Sequence, residues 1–211
     1  MKRIIFFLLF TALLASVGSA APGDKIFYED FSSYGEGELP AGWIGGDNMS
    51  VMEVNRKKIL RYFANGSYDV TTKKIDLLGN FKVTILMKHY FHNNSQKNFD
   101  IYNDILNLDI YNVEKRNNGF IVVHFGAYQI SIGDGEIRVG IKDKWSDLKE
   151  LETVAPEQTF SLSLERRGTV CKVYVNNAKV FVGRYPEVKM NNIRFSSNSK
   201  FEIHSIVIEE L

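Results

Sequence analysis

Cysteine is nearly absent: a single residue, Cys171, in a chain of 211. That excludes a disulfide scaffold and a thiolate zinc cluster. With only four prolines and no low-complexity stretch or block of one charge, nothing marks a linker between domains. Charge of one sign is lacking too. The 26 Lys and Arg balance 25 Asp and Glu, so there is no basic field to hold nucleic acid or an anionic membrane. The longest apolar run, residues 4–15, falls short of the ~20 residues that a membrane helix needs. Beyond it there is almost no 3.6-residue periodicity, which argues against a helical fold. Phosphate-binding glycine loops and Ser-His-Asp nucleophile elbows are missing, and Gly45-Gly46 opens no helix.

What is present begins with an export signal. Lys2 and Arg3 precede the apolar run, and Ser19, Ala20 and Ala21 follow it as small residues. This is the layout of a secretory signal peptide, residues 1–21, cut near Ala20 or Ala21. The expected mature chain is residues 22–211, exported to the periplasm, cell surface or medium, with no transmembrane segment. It carries 24 basic against 25 acidic residues. A lipoprotein would need a cysteine at the cleavage point, and the only one is Cys171.

The mature part alternates with period two. Phe81, Val83, Ile85 and Met87 share one face of a strand, and residues 160–165 alternate completely. Residues 120–125 are apolar on both faces, as in a strand covered on both sides. Residues 201–208 read as a closing strand. Cys171 falls on one face with Val173 and Val175, as a small buried hydrophobe. Turns separate the runs at Arg167-Gly168, Asn176-Asn177 and Gly133-Asp134-Gly135. Asparagine and glycine tolerate the positive φ of tight hairpins. The one helix candidate is residues 145–151, where Trp145, Leu148 and Leu151 recur at three-residue steps, a spacing that suits a loop equally. Many short strands at this spacing indicate an all-β, two-sheet antiparallel sandwich or a barrel. One domain is the economical reading. At this size it buries roughly 70% of its unfolded surface and needs no metal or disulfide to fold.

Three stretches carry a resemblance. The first runs from Pro22 through Phe27-Tyr28-Glu29-Asp30-Phe31-Ser32-Ser33 to Gly42-Trp43. The second runs from Arg166 through Val173-Tyr174-Val175-Asn176-Asn177 to Phe181. The third joins Asn192-Ile193-Arg194-Phe195 to Phe201-Glu202-Ile203-His204-Ser205-Ile206. Together they resemble the concanavalin A-like lectin/glucanase superfamily of jelly-roll sandwiches. More narrowly, they resemble the extracytoplasmic sandwich domain ahead of the peptidoglycan-binding module in some bacterial OmpA-family proteins. The resemblance implies two facing sheets, first and last strands lying close together, and a binding or assembly role in the envelope. Two departures stand out. No peptidoglycan-binding module follows before Leu211. His204 and Ser205 occupy positions where such domains commonly carry an Asp-Asn pair, which puts a structural calcium site between the terminal strands in doubt.

Several constellations could carry chemistry. Glucanases place acidic residues at alternate positions of one strand, with two carboxyls ~5 Å apart for retention. Asp100 and Asp104, flanking Tyr102, come nearest, whereas Asp109 and Glu114 fall on opposite faces. A solvated strand face is the more economical reading, so no catalytic residue is assigned. His89 and His92 are three apart and would chelate together only across a bend, so they are read as unrelated, and His124 as a core histidine. Glu29, Asp30, Asp47 and Asn48 are oxygen donors without the spacing of a calcium loop. No metal and no cofactor is expected. The aromatics, 15 Phe, 10 Tyr and 2 Trp, exceed what a core of this size requires. A flat ring can stack on the C–H face of a sugar while its polar atom reaches a hydroxyl. Trp145, set among charged residues, is the preferred ligand contact, with Tyr102, Tyr111 and Tyr128 beside it, whereas Trp43 is read as structural. The expected function is a non-catalytic binding or assembly module of the envelope whose partner is a glycan or an envelope protein. A glycoside hydrolase or lyase on the same scaffold, or a structural subunit engaging a protein by a strand edge, are the alternatives. The sequence predicts that mass spectrometry of the exported protein finds an N-terminus at Ala21 or Pro22. A product retaining Lys2 and Arg3 would contradict it.

Overall fold

The computed structural model describes residues 25–44, 48–63, 69–77, 79–90, 106–115, 122–133, 136–141, 144–145, 149–150, 157–184, 190–197 and 199–211. The regular structure among them is entirely β. In chain order the strands are β1 (Lys25–Glu29), β2 (Trp43–Ile44), β3 (Met49–Val54), β4 (Lys57–Tyr62), β5 (Asp69–Leu77), β6 (Phe81–His89), β7 (Leu106–Lys115) and β8 (Val122–Gly133). There follow β9 (Glu136–Ile141), β10 (Lys144–Trp145), β11 (Lys149–Glu150), β12 (Thr159–Arg167), β13 (Val170–Val175), β14 (Ala178–Arg184), β15 (Met190–Ser197) and β16 (Phe201–Glu210). They form two eight-stranded sheets. The first runs β14-β13-β12-β6-β16-β4-β3, with β1 also on β16; the second runs β10-β9-β8-β7-β15-β5-β2, with β11 also on β9. Every pairing is antiparallel, as for β12 with β6 and β7 with β8.

The alternation sets which face is buried. Phe81, Val83, Ile85 and Met87 of β6, Phe160, Leu162 and Leu164 of β12, and Cys171, Val173 and Val175 of β13 point inward. Across from them Ile75, Leu77, Ile193 and Phe195 of the second sheet complete one core. A chain of rings stitches the two sheets. Phe31 packs on Trp43 at 6.1 Å, Trp43 stacks on Phe195 at 6.0 Å, Phe195 on Phe201 at 6.1 Å, and Phe201 on Tyr62 at 5.1 Å. Trp43 is therefore structural, as its position after the Pro40-Ala41-Gly42 turn suggests.

Phe31 enters this chain from a strained backbone. Its φ is +62° and its side chain is wholly buried. A left-handed phenylalanine costs on the order of 1–3 kcal/mol and persists only where surroundings hold it. Here the buried Glu29 carboxylate accepts the Phe31 N–H at 3.2 Å and the Tyr34 hydroxyl at 3.3 Å. The β13–β14 hairpin turns on Asn176 and Asn177, both left-handed at φ 47° and 66°, the geometry of a two-residue hairpin loop. The β12–β13 turn uses Gly168 at φ 53°. Within residues 145–151, the helix candidate, Trp145 instead ends β10 and Lys149–Glu150 forms β11, both paired to β9. The described residues of this segment thus form two short strands, and Leu148 and Leu151 lie outside the described residues. The first and last strands are neighbours, with Tyr28 opposite Val207 and Glu29 opposite Ile206.

The ring chain yields a stability prediction. Trp43→Ala removes the central ring and lowers unfolding stability by about 3–5 kcal/mol. Trp43→Phe costs much less, because no described acceptor reaches the Trp43 Nε1. Urea denaturation of both variants reads the difference; equal losses would contradict the stacking account.

Candidate functional site

The last strand contains a break in its own pattern. Phe201 and Ile203 point inward, then Ile206 and Ile208 do, so the phase slips by one residue in between. The slip is a bulge at His204: Ile203 opposes Met87 on β6, and Ser205 opposes Leu86. A bulge leaves one residue out of the ladder and bends the strand. On the opposite edge of β16 the neighbour changes at the same place. β4 pairs up to Ile203 and β1 takes over from Ile206. Where one neighbour hands over to the other, a cleft of about 510 Å³ opens, its lining including Tyr28, Asp30, Glu53, Arg56, Leu86 and His204.

The cleft has an apolar side and a polar side. Tyr28 is 54% exposed and Leu86 38% exposed, so both present apolar surface to the opening. The Tyr28 ring is pinned: Lys25 Nζ lies 5.1 Å from its centroid, and the charge of Asp30, some burial and a hydrogen bond to Asp30 raise its hydroxyl pKa. Asp30 is fixed in turn by Ser32, whose hydroxyl donates at 2.7 Å and backbone N–H at 3.0 Å. Those bonds hold the Asp30 carboxyl below its ordinary range. Lys58 donates its ammonium to the Tyr34 carbonyl, tying β4 to the turn after β1.

Behind His204 lies a buried carboxylate. Glu202 is 2% exposed. Its Oε1 accepts Arg61 Nε at 3.0 Å, Arg61 Nη2 at 2.6 Å and the Tyr90 hydroxyl at 2.6 Å. Its Oε2 faces His204 Nε2 at 3.4 Å. Burial alone would raise this carboxyl's pKa, but His204, Tyr90 and Arg61 outweigh it and hold the group at about 2. Burial and the bond to Glu202 push the Tyr90 hydroxyl well above its ordinary range. Lys88 and Lys200 stand 4.5 and 4.1 Å from the Tyr90 ring centroid. The network holds the Glu202 carboxylate in place behind the cleft wall. Chemically the cleft offers a ring face, an aliphatic patch, carboxylate acceptors and basic donors. Asp30 and Glu202 are both held ionised, the wrong state for a general acid that must deliver a proton to a leaving group.

Of the ligand contacts read from the sequence, three fall among the described residues. Tyr111 is on β7 opposite Asn192, Tyr128 on β8 opposite Ile110 and Ile141, and Trp145 on β10 opposite Gly140. All three belong to the second sheet; Tyr102 lies outside the described residues, as do Asp100, Asp104, His92 and Asp47. His124 is on β8. His89 is fully buried, its Nε2 2.5 Å from the Ser199 hydroxyl and 3.4 Å from that of Ser197, a hydrogen-bonded histidine at a strand end. Among the described residues no group of three His, Cys, Asp or Glu side chains could hold a metal ion, and Glu29 is turned inward to Phe31 and Tyr34. Tyr28, Leu86 and His204 were missed as a site. The readable signal was the broken alternation in Phe201-Glu202-Ile203-His204-Ser205-Ile206-Val207-Ile208.

No family model matches the sequence, and no curated protein matches it. Solved structures match the fold. The carbohydrate recognition domain of Emp47p is similar over 92% of this chain and 99% of that one, with TM-score 0.61 at 12% identity. A β-glucanase of Bacillus licheniformis is similar over 90% and 99%, with TM-score 0.61 at 12% identity. A sialidase is similar over 90% of this chain, which spans only 18% of that chain's length, with TM-score 0.60 at 13% identity. The protein thus has the concanavalin A-like jelly-roll fold.

The buried network makes stability depend on acid. Glu202 has a folded pKa of about 2 against an ordinary 4.5. Its contribution is therefore complete above pH 4.5 and disappears as pH falls toward 2. Glu202→Gln leaves Arg61 without its counter-charge and destabilises by about 3 kcal/mol at neutral pH. The gap between the variant and the native protein narrows across that acid window, as thermal melts at stepped pH would record. A constant gap would contradict the assignment.

Proposed function

We propose that the protein is an exported, non-catalytic glycan-binding module of the cell envelope, with the cleft at the β16 bulge as its binding site. The observation that carries this is the pinned, exposed Tyr28 ring beside Leu86, facing carboxylate and basic side chains across one opening. Sugars present C–H faces and hydroxyls together, and that combination of apolar ring and polar groups suits both. The fold is one that a carbohydrate recognition domain also uses, which supports the reading without deciding it, because function lives in the site. The signal-like residues 1–21 support export. Among the described residues no helix is long and apolar enough to cross a membrane.

A glycan array with the native protein, Tyr28→Ala and Trp145→Ala tests the reading. Binding by the native protein that weakens about tenfold or more in Tyr28→Ala, a loss of ~1.4 kcal/mol, and persists in Trp145→Ala is the expected result. The reverse pattern would move the site to the second sheet. Absence of binding to any glycan would remove the reading, and release of reducing ends on incubation would make the protein a hydrolase.

A further inference from the structure

The cleft is one end of a longer feature on the same sheet face. Register lines up Tyr28 of β1, Val207 of β16, Thr84 of β6, Ser163 of β12 and Tyr174 of β13 in one row across the strands. All lie opposite in phase to the inward Val83, Ile85, Leu162, Leu164, Val173 and Val175, so the row is on the outer face. It has an aromatic ring at each end and small residues between. The next row is Ser205, Leu86 and Ser161, again small apart from Leu86. Ser163 is 5% exposed and shares a 3.0 Å hydrogen bond with Thr84, so this floor is tied down below the side chains around it.

Taller, charged rows flank the floor. On one side Lys25, Glu209, Lys82, Glu165 and Lys172 succeed one another across five strands. The signs alternate, and Glu165 is held by Lys172 at 3.2 Å and Arg167 at 3.1 Å. Burial would raise the Glu165 carboxyl, and those two cations bring it below its ordinary range. On the other side stand Arg61, Glu202 and Lys88, of which the first two are paired. In both walls each carboxylate stands between two cations, which leaves one cation in excess per wall and no run of one sign facing the floor. Tyr174, like Tyr28, is anchored through its hydroxyl to a carboxylate, here Glu165 Oε2 at 3.3 Å.

We infer that this groove takes a linear, uncharged glycan lying across the strands, with sugar rings stacked on Tyr28 and Tyr174 and the units between them passing over Val207, Thr84 and Ser163. Four strand spacings separate the two tyrosines, roughly 19 Å at ~4.8 Å per strand, a length of several sugar rings. A low floor of small side chains between two ring platforms suits a chain of flat rings with C–H faces. A peptide strand would instead seek unpaired backbone at a sheet edge. This rests on the glycan-binding reading and adds to it the shape of the ligand and a second contact.

Calorimetric titration with cello-oligosaccharides and chito-oligosaccharides, from disaccharide to hexasaccharide, tests it on the native protein, Tyr28→Ala, Tyr174→Ala and Thr84→Arg. In at least one series the hexasaccharide should bind the native protein about tenfold or more tighter than the disaccharide. Tyr174→Ala should abolish that gain and lower hexasaccharide affinity far more than disaccharide affinity, and Tyr28→Ala should weaken both. Thr84→Arg fills the floor and should act as Tyr174→Ala does, which guards against a folding defect in either variant; thermal melts confirm that each is folded. A disaccharide that binds as tightly as the hexasaccharide, indifferent to Tyr174 and Thr84, would overturn the groove and leave the cleft as a glycan site. No binding by either series would remove both.

Discussion

The last strand has to be satisfied along both edges. One edge of β16 pairs with β6 along its whole length, while the other is shared between β4 and β1. A regular strand could not serve two neighbours that meet it at different places without a dislocation. The bulge at His204 is that dislocation, and much of the molecule depends on it. It keeps Phe201 and Ile203 in the core ahead of it and Ile206 and Ile208 in the core after it. It also brings the turn after β1, with Asp30, next to the outer face of β16. A feature required by backbone hydrogen bonding therefore creates the opening in which the polar groups gather.

Support for that opening comes from the inside. The ring chain from Phe31 to Tyr62 locks the turn after β1 and the start of β16 to the second sheet. The strained Phe31 backbone is tolerated because its side chain is part of this chain and Glu29 secures its N–H. Glu29 and Asp30 thus divide the work of one turn. The first faces inward and holds the backbone; the second faces the cleft and holds Tyr28 and Ser32. On the outer surface, the Glu202 network gives His204 a fixed carboxylate neighbour, so the wall behind the cleft is rigid before any ligand arrives.

The architecture was legible in the chain because its evidence is local. The alternation through Phe81–Met87, the Asn176-Asn177 turn, the inward Cys171 and the closeness of the two terminal strands all follow from neighbouring residues or from the resemblance they carry. Trp43 was also legible, since a tryptophan after a Pro-x-Gly turn has few places to go except a sandwich end. The helix candidate at 145–151 was misleading because three-residue steps in so short a segment do not distinguish a helix from two edge strands. The cleft was not legible because its parts are far apart in sequence. Tyr28, Leu86 and His204 meet only through register across three strands, and no spacing along the chain encodes that. The broken alternation around His204 marked a position without saying what would face it. Trp145, chosen for its charged neighbours, sits on the second sheet, a placement that local polarity does not encode.

The pairing of β1 with β16 also sets an order of events. Residue 28 finds its partner only at residue 207, so β16 must be synthesised before the first strand has an edge to join. Until then Phe31 has no Phe201 at the far end of its ring chain, and the apolar faces of the early strands stay uncovered. A chain of such distant contacts collapses slowly and late. A polypeptide of this kind has to be kept from aggregating while it waits, and its assembly begins in earnest only after β16 has emerged.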